Sequence, residues 1–299
     1  MSDFSTQAPL VSTQWLADHL GADDLVVVDA TVLLTKAPGG GSRWLSGLDQ
    51  YLIEGHIPGG VFADVLEVFS DPDGDYGFAR PSAELFEAAA TSVGIDNSTT
   101  VVVYDTSVGH WAARIWWIFR AFGYDNVAVL DGGYTKWTAE ERPTETGFVE
   151  PRRVAGFTAE PREELWVDKA FVESIVAGET DAALVCSAPP TEFSGEVSSR
   201  PRAGHIPGSV SVPASRLVDR ETNAFLQGSA LEAKLAPFTD APRFVTYCGG
   251  GIAAASSAFA LVRAGQQNVA IYDGSLNEWA ADADAPLVVT VPATVPATV

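Results

Sequence analysis

The feature that most constrains this chain is an internal repeat. The pentapeptide Gly-His-Ile-Pro-Gly occurs at 55–59 and again at 204–208, 149 positions later. Two further segments recur in the same order, with 102–105 matching 245–248 at an offset of 143 and 129–137 matching 271–279 at an offset of 142. Ordered matches with slowly drifting offsets are the pattern that duplication followed by loop deletion leaves. The sequence therefore predicts two copies of one domain rather than a solenoid.

Each copy alternates buried strands with helices. Apolar runs predict strands at 25–30, 100–105 and 127–130, and apolar spacing predicts helices at 81–93 and 111–122. Strands that alternate with helices form a mainly parallel sheet with helices on both faces. We therefore predict an α/β protein built from two tandem domains of this kind.

The domain boundaries follow from composition. We place the first domain at 10–140, an exposed, charged and proline-containing linker at 141–164, the second domain at 165–287 and a frayed tail at 288–299. The first domain also contains a polar, glycine-rich stretch at 36–48. A chain of 299 residues that is 46% apolar is long enough for two such cores.

The charge and the hydropathy of the chain exclude several classes of partner. A net charge of −21 argues against binding to nucleic acid or to an anionic membrane surface, because both need a basic protein surface. No apolar run is long enough to span a bilayer, and the first ten residues lack the pattern of a secretory signal. We therefore predict a cytoplasmic protein that binds neither nucleic acid nor membrane.

One of the two cysteines stands in a loop suited to nucleophilic chemistry. Cys248 follows an apolar strand at 244–247, precedes three consecutive glycines and is followed by an alanine-rich helix. Such a loop turns several backbone N–H groups toward the sulfur at the positive end of a helix, which favours the thiolate. A buried, inert thiol beside a flexible turn is the alternative that this stretch alone leaves open. Cys186 lies 62 positions from Cys248, a spacing that fits neither a zinc site nor a disulfide framework. We therefore predict no bound metal and a reducing compartment. We also predict no cofactor.

These motifs resemble the rhodanese superfamily, specifically its tandem thiosulfate and 3-mercaptopyruvate sulfurtransferases. The resemblance rests on Gly-His-Ile-Pro-Gly in each half, on Arg-Ile-Trp-Trp at 114–117, on Cys-Gly-Gly-Gly-Ile-Ala at 248–253 and on the Asp-Gly-Ser turn at 273–275 with Trp279, and it covers nearly the whole chain. It implies that the first domain is catalytically silent, with Asp105 in the position that Cys248 occupies in the second.

The resemblance also implies a chemistry. Cys248 would take a sulfane sulfur from a small-molecule donor, either 3-mercaptopyruvate or thiosulfate, and hold it as a persulfide. It would then pass the sulfur to an acceptor such as cyanide or a thiol, with a thioredoxin-like reductant as a further partner. The loop that would cradle the persulfide consists of Gly249, Gly250, Gly251, Ile252 and Ala253.

The substrate-binding positions depart from the family pattern. The six-residue loop resembles the mercaptopyruvate type more than the thiosulfate type, although Gly250 and Ala253 replace its hydroxyl residues. Glu192 stands where the family carries a substrate-binding arginine. The family carries a second one in the segment before the Gly-His-Ile-Pro-Gly motif, which is shortened here, and Arg200 or Arg202 is the candidate for that role. Asp64 matches an acidic position that mercaptopyruvate enzymes couple to a histidine, which is missing around Phe78.

Other polar and aromatic residues have competing interpretations. His110 and Trp111 stand where the family's first domain points aromatic side chains into the cleft, so we predict that they line a pocket between the domains. His56 and His205 both precede Ile-Pro-Gly turns, so a shared structural role is favoured over catalysis. Cys186 is predicted to be a buried, inert thiol.

Three other functions compete with sulfur transfer. A cysteine phosphatase of related fold needs an arginine six positions after the cysteine, and this chain has Ala254 there. A phosphate-binding glycine loop needs a lysine or a wider glycine spacing than 249–251 offers. A non-catalytic tandem module that binds or senses sulfur species or protein partners remains the alternative.

Overall fold

The first domain is built on a parallel five-stranded sheet with an added hairpin. The computed structural model describes residues 8–236 and 241–290. The strands of the first domain are β1 (Leu10–Val11), β2 (Leu25–Asp29), β3 (Val32–Lys36), β4 (Ser42–Ser46), β5 (Val61–Phe62), β6 (Thr100–Tyr104) and β7 (Val127–Leu130). Its helices are α1 (Thr13–His19), α2 (Leu48–Ile53), α3 (Ala83–Ser92), α4 (His110–Ala121) and α5 (Gly133–Ala139). The sheet has the order β1-β7-β6-β2-β5, and all of its strand pairs are parallel.

The second domain repeats this plan. Its strands are β8 (Trp166–Val167), β9 (Ala183–Cys186), β10 (Val210–Ser211), β11 (Phe244–Tyr247) and β12 (Val269–Tyr272). Its helices are α6 (Lys169–Val176), α7 (Pro190–Ser194), α8 (Gly228–Leu235), α9 (Ile252–Arg263) and α10 (Ser275–Trp279). The sheet has the order β10-β9-β11-β12-β8, again with parallel pairs only. The predicted α/β class with two mainly parallel sheets is confirmed.

The glycine-rich stretch of the first domain is a hairpin rather than a plain loop. Strands β3 and β4 pair antiparallel, with Leu34 opposite Trp44 in the register. Leu34 and Trp44 remain substantially exposed although both are large and apolar. The glycines at 39–41 lie in the turn between the two strands, and a short connection that contains glycine is itself a hairpin signal that the prediction of a plain stretch did not use.

The segment between the domains, predicted to be an exposed linker, is mostly exposed and is fastened to the first domain by individual contacts. The ring of Phe157 is buried at 5.3 Å from Phe86, centroid to centroid, and Arg152 Nε donates to the Gly94 carbonyl at 2.8 Å. The predicted tail also begins too early, because Val288 pairs with His205 through two backbone hydrogen bonds. Residues 291–299 of that tail lie outside the described part of the chain.

One apolar cluster extends across both domains. Helices α4 and α9 pack against each other, and the Trp116 ring meets the Phe259 ring edge to face at 4.8 Å. Because α4 and α9 each start directly after a central strand, their contact brings the carboxyl ends of β6 and β11 close to the same interface. Ligands bind at such strand ends in open parallel sheets.

Candidate active site

The cysteine loop is fastened to the first turn of α10. The Cys248 N–H donates to Ser275 Oγ at 3.1 Å. In return, the Leu276 N–H donates to the Cys248 carbonyl at 3.1 Å and the Asn277 N–H donates to the Gly249 carbonyl at 2.9 Å. The Asp-Gly-Ser motif is therefore the support on which the loop is built, and Ser275 itself adopts a left-handed φ of 49°.

This attachment decides where the loop's remaining N–H groups point. In a trans peptide the C=O and the following N–H point in opposite directions. Since the carbonyls of Cys248 and Gly249 face α10, the N–H groups of Gly249 and Gly250 face away from it. Both glycines line the cavity. Gly251 then begins α9 with a φ of 82°, where a Cβ would lie 2.8 Å from Asp273 Oδ1. Glycine is required there both for the backbone angle and for the space.

Cys248 lies at the floor of a cavity between the domains. The cavity has a volume of about 540 Å³, and only 3% of Cys248 is exposed. Residues of the loop that line it are Cys248, Gly249, Gly250, Ile252 and Ala253. The first domain supplies an apolar and aromatic wall made of Leu34, Trp44, Phe78, Val108, His110 and Trp111. A cavity of this size and character is typical of small-molecule sites.

Arg200 is the cation of this cavity. Among the described residues that line it, no other lysine or arginine occurs. Its Nε donates to Asn277 Oδ1 at 2.9 Å, and its Nη1 forms an ion pair with Glu192 Oε2 at 2.8 Å. The guanidinium lies directly against Gly249, where an added Cβ would collide with it. The positive charge is thus fixed beside the cysteine loop and partly neutralised by Glu192.

Arg202, the other candidate for substrate binding, does not reach the cavity. Its Nη1 donates to the Asp282 carbonyl and its Nη2 donates to the Ala285 carbonyl. With both terminal nitrogens bonded to the backbone of another loop, the side chain ties the segment at 202 to the segment at 282–285. The structure therefore gives Arg202 a structural contact instead of the predicted substrate contact.

His110 and Trp111 come to the cavity on the first turn of α4. Burial lowers the pKa of His110 below its usual value, against the opposing effect of Asp105, so the imidazole is neutral at pH 7. The Trp111 ring packs edge to face on Trp44 at 5.2 Å and on Phe78 at 5.5 Å. Phe78 has a φ of 64°, which is rare for a bulky residue. Nothing in the sequence marks Phe78 and Trp44 as lining residues, because neither lies near the cysteine motif.

Asp105 fills the corresponding cradle of the first domain. One carboxylate oxygen accepts from the N–H groups of Ser107 and Gly109, and the other accepts from those of Trp111 and Ala112, all at 2.8–3.0 Å. The carboxylate is buried, and four backbone donors satisfy it. The equivalent loop of the first domain therefore holds a negative charge of its own.

Cys186 lies on the other side of the second sheet. It is the partner of Tyr247 in the β9–β11 register and packs in a different apolar cluster from Cys248. Burial raises the pKa of its thiol to about 12. Cys186 is therefore protonated at neutral pH, which agrees with the inert role predicted for it.

The two motif histidines occupy matching positions away from the cavity. His56 stacks on Tyr51 at 3.9 Å, with Nδ1 at 3.0 Å from the Tyr51 carbonyl oxygen. His205 stacks on Phe193 at 3.7 Å, with Nδ1 at 2.7 Å from the Phe193 carbonyl oxygen. Both side chains hold a turn against a neighbouring helix.

The described part of the chain contains neither a metal-binding cluster nor a membrane-spanning helix. Within 8–236 and 241–290, no group of three or more His, Cys, Asp or Glu side chains is arranged to hold a metal ion. The helices in the same part of the chain are too short or too polar to cross a bilayer.

Comparison with known proteins places the chain in a family. The family described as Rhodanese-like domain matches residues 12–140 and 179–282, one region in each half. The chain belongs to the rhodanese family. The 3-mercaptopyruvate sulfurtransferase of Escherichia coli K12 is 32% identical over 282 residues, which cover 93% of this chain and 96% of that protein.

Two further relatives have similar lengths. Thiosulfate/3-mercaptopyruvate sulfurtransferase 2 of Arabidopsis thaliana is 31% identical, over 95% of this chain and 87% of that protein. The crystal structure of SseA from Escherichia coli, described as a 3-mercaptopyruvate sulfotransferase with the rhodanese fold, superimposes with a TM-score of 0.77 at 30% identity, over 90% of this chain and 98% of that one. These relatives support a sulfurtransferase over a non-catalytic tandem module.

Proposed function

We propose that the chain transfers a sulfane sulfur through a persulfide on Cys248, with a singly charged thiol donor of the 3-mercaptopyruvate type preferred over thiosulfate. The observation that carries this proposal is the charge of the cavity. One guanidinium, Arg200, faces the loop, and an ion pair with Glu192 reduces its positive potential. The cavity's other hydrogen-bond donors are uncharged groups, such as the backbone N–H groups of the loop and the Asn277 amide.

The donor's charge decides how well it suits this site. Most of the cavity wall is apolar, so an anion that enters loses hydration and must recover it from Arg200 and the loop. A carboxylate with one negative charge can pair with one guanidinium. A dianion brings a second charge that the described lining does not compensate, because Glu192 repels it.

The first half of the reaction forms an S–S bond at Cys248. The Cys248 thiolate attacks the thiol sulfur of the donor, and the donor's C–S bond breaks. The bonding electron pair leaves on carbon as the enolate of pyruvate, which takes up the proton released by the donor's thiol and becomes pyruvate, so that the persulfide is left as its anion. With thiosulfate as donor, the S–S bond would break instead and sulfite would leave with the electron pair. The N–H groups of Gly249 and Gly250 lie on the side of the loop where the persulfide charge would develop.

The second half of the reaction regenerates the Cys248 thiolate. An acceptor thiolate or cyanide attacks the outer sulfur, the S–S bond of the persulfide breaks, and its electron pair returns to Cys248 as the thiolate. The apolar wall supplied by the first domain leaves room for an acceptor larger than the donor. A thioredoxin-like reductant fits this half-reaction as a partner, since it presents a reactive thiolate.

A donor panel tests the proposal. Turnover of 3-mercaptopyruvate and of thiosulfate is measured with cyanide and with a small thiol as acceptors, in parallel for the wild type and for Cys248→Ser. We expect a higher kcat/KM with 3-mercaptopyruvate and no turnover in the variant. A higher kcat/KM with thiosulfate would contradict the donor preference, and persistent turnover in Cys248→Ser would contradict the persulfide.

A further inference from the structure

A guanidinium of the first domain is buried at the interface behind the cysteine loop. Arg114 lies in the middle of α4 and is fully buried. Its Nη1 donates to Asp273 Oδ1 of the second domain at 2.6 Å, and the guanidinium lies over the Trp166 ring at 5.1 Å. Removing a charged group from water is costly unless it is paired and hydrogen-bonded. A buried charge at this position therefore calls for a role beyond packing.

Asp273, the ion-pair partner of Arg114, lies next to the residues that hold the cysteine loop in place. Asp273 follows β12 directly and precedes the residues that bond the loop, Ser275 to Asn277. The same Oδ1 that accepts from Arg114 is also the atom against which Gly251 packs. The other oxygen, Oδ2, accepts from the Arg80 N–H at 2.7 Å. A shift of the Asp273 carboxylate would therefore move the turn and the start of α9 together.

Arg114 also holds the opposite wall of the cavity. Its Nη2 donates to the Phe78 carbonyl at 2.8 Å. Phe78 keeps a left-handed φ of 64°, a conformation that persists in a bulky residue only when its surroundings enforce it. Its ring lines the cavity above the cysteine loop. One guanidinium thus fixes both the loop and the wall that faces it.

We propose that Arg114 is a positioning residue for Cys248, which through Asp273 holds the turn that shapes the cysteine loop and through Phe78 holds the facing wall. The inference rests on the proposed role of Cys248. It gives the first domain a part in the reaction although that domain carries no reactive cysteine in its own loop. The effect is on geometry, because the Arg114–Asp273 pair has no net charge.

The internal repeat indicates that Arg114 does more than hold the two domains together. Asp131 is the counterpart of Asp273, and its Oδ1 accepts from the Phe225 N–H of the other domain at 2.8 Å, as Asp273 accepts from Arg80. The counterpart of Arg114 at the same offset of 142 is Ser256. The interdomain backbone contact is therefore present on both sides, whereas the buried arginine is present only on the side of the reactive loop.

The test uses this internal symmetry. The variants are Arg114→Met, Asp273→Asn and the double variant, and Asp131→Asn is the matched control because it changes the equivalent carboxylate beside the first-domain loop. The rate of alkylation of Cys248 by iodoacetamide is measured from pH 5 to 9 by mass spectrometry of its peptide, together with kcat and KM for 3-mercaptopyruvate. Alkylation reports the thiolate without any sulfur donor.

We expect Arg114→Met and Asp273→Asn to slow alkylation at pH 7 by about tenfold and to lower kcat by at least as much, since small displacements of reacting groups have effects of this size. Asp131→Asn should stay within about twofold of wild type in both measurements. If a single variant unfolds, the double variant decides, because it leaves no unpaired buried charge.

The proposal is wrong if folded Arg114→Met or the double variant alkylates Cys248 with the wild-type rate and pH profile, or if Asp131→Asn slows it equally. The outcome is separable from the proposed function. Wild-type protein that turns over no donor, but in which Arg114→Met still slows alkylation, would refute sulfur transfer and leave the positioning role standing.

Discussion

Replacing Glu192 with glutamine removes a negative charge from the cavity and keeps the shape of the side chain. Arg200 loses its ion-pair partner at 2.8 Å but is still held by Asn277, so the guanidinium should stay beside the loop. The cavity then becomes more positive. Both donors should bind more tightly, and the doubly charged donor should gain more.

The size of the effect follows from the geometry. A donor anion on the far side of the guanidinium would lie roughly 6 Å from the Glu192 carboxylate, and at a dielectric constant of about 80 each of its charges is then repelled by about 0.7 kcal/mol. Removing this repulsion corresponds to about threefold in affinity for a monoanion and about tenfold for a dianion. The ratio of the two KM values should therefore shift by about threefold toward thiosulfate, and by more where the cavity excludes water.

The assay is steady-state kinetics with 3-mercaptopyruvate and thiosulfate at fixed acceptor, under conditions where substrate dissociation is fast relative to chemistry. Glu196→Gln is the control, since it makes the same change of charge at an exposed position nearby that does not line the cavity. An unchanged KM ratio in Glu192→Gln, or an equal shift in Glu196→Gln, would refute the argument that Glu192 sets the donor preference.

Three other substitutions have expected outcomes. Cys186→Ser should keep most of the sulfur-transfer activity that Cys248→Ser abolishes, because burial raises the pKa of Cys186 to about 12 and keeps its thiol protonated. Equal loss of activity in the two variants would indicate a two-cysteine mechanism. Asp105→Ala should lower the free energy of unfolding, measured by urea titration, by about 3 kcal/mol, because four backbone N–H groups lose their acceptor. A loss below about 1 kcal/mol would contradict the importance of these four hydrogen bonds. Burial raises the pKa of Asp29 to about 6, so the folded state binds this proton up to a higher pH than the unfolded state does. The free energy of unfolding should therefore fall by about 3 kcal/mol as the pH rises from about 4 to 6. Asp29→Asn should lack this part of the fall, and identical pH profiles for the variant and the wild type would contradict the assignment.

The repeat was enough to predict the sheets and the place of the cysteine. Both depend on local patterns, namely apolar runs that form buried strands and glycines that follow a strand end. The residue types at matching positions of the repeat also distinguish the silent loop, which has Asp105, from the reactive loop, which has Cys248. These features are encoded in short segments, so one sequence reveals them.

The contacts that shape the cavity were not predictable in the same way. Arg114 and Asp273 are 159 positions apart, and only the packing of α4 against α9 brings them together. Arg200 and Arg202 are indistinguishable in sequence, yet one reaches the cavity and the other bonds to backbone carbonyls. Which arginine faces inward depends on the path of an irregular loop, for which no periodic pattern exists.

The paired contacts of Asp131 and Asp273 bear on the origin of the molecule. Each domain offers a carboxylate to a backbone N–H of the other, and the two recipients, Phe225 and Arg80, occupy corresponding places in the repeat. Contacts that are exchanged in this way are the signature of an isologous interface, in which identical subunits are related by a twofold axis. The arrangement is what a homodimer of single domains becomes when its gene is duplicated in tandem and the two copies are joined. In such an ancestor both loops faced the interface on equal terms, and fusion left each free to diverge.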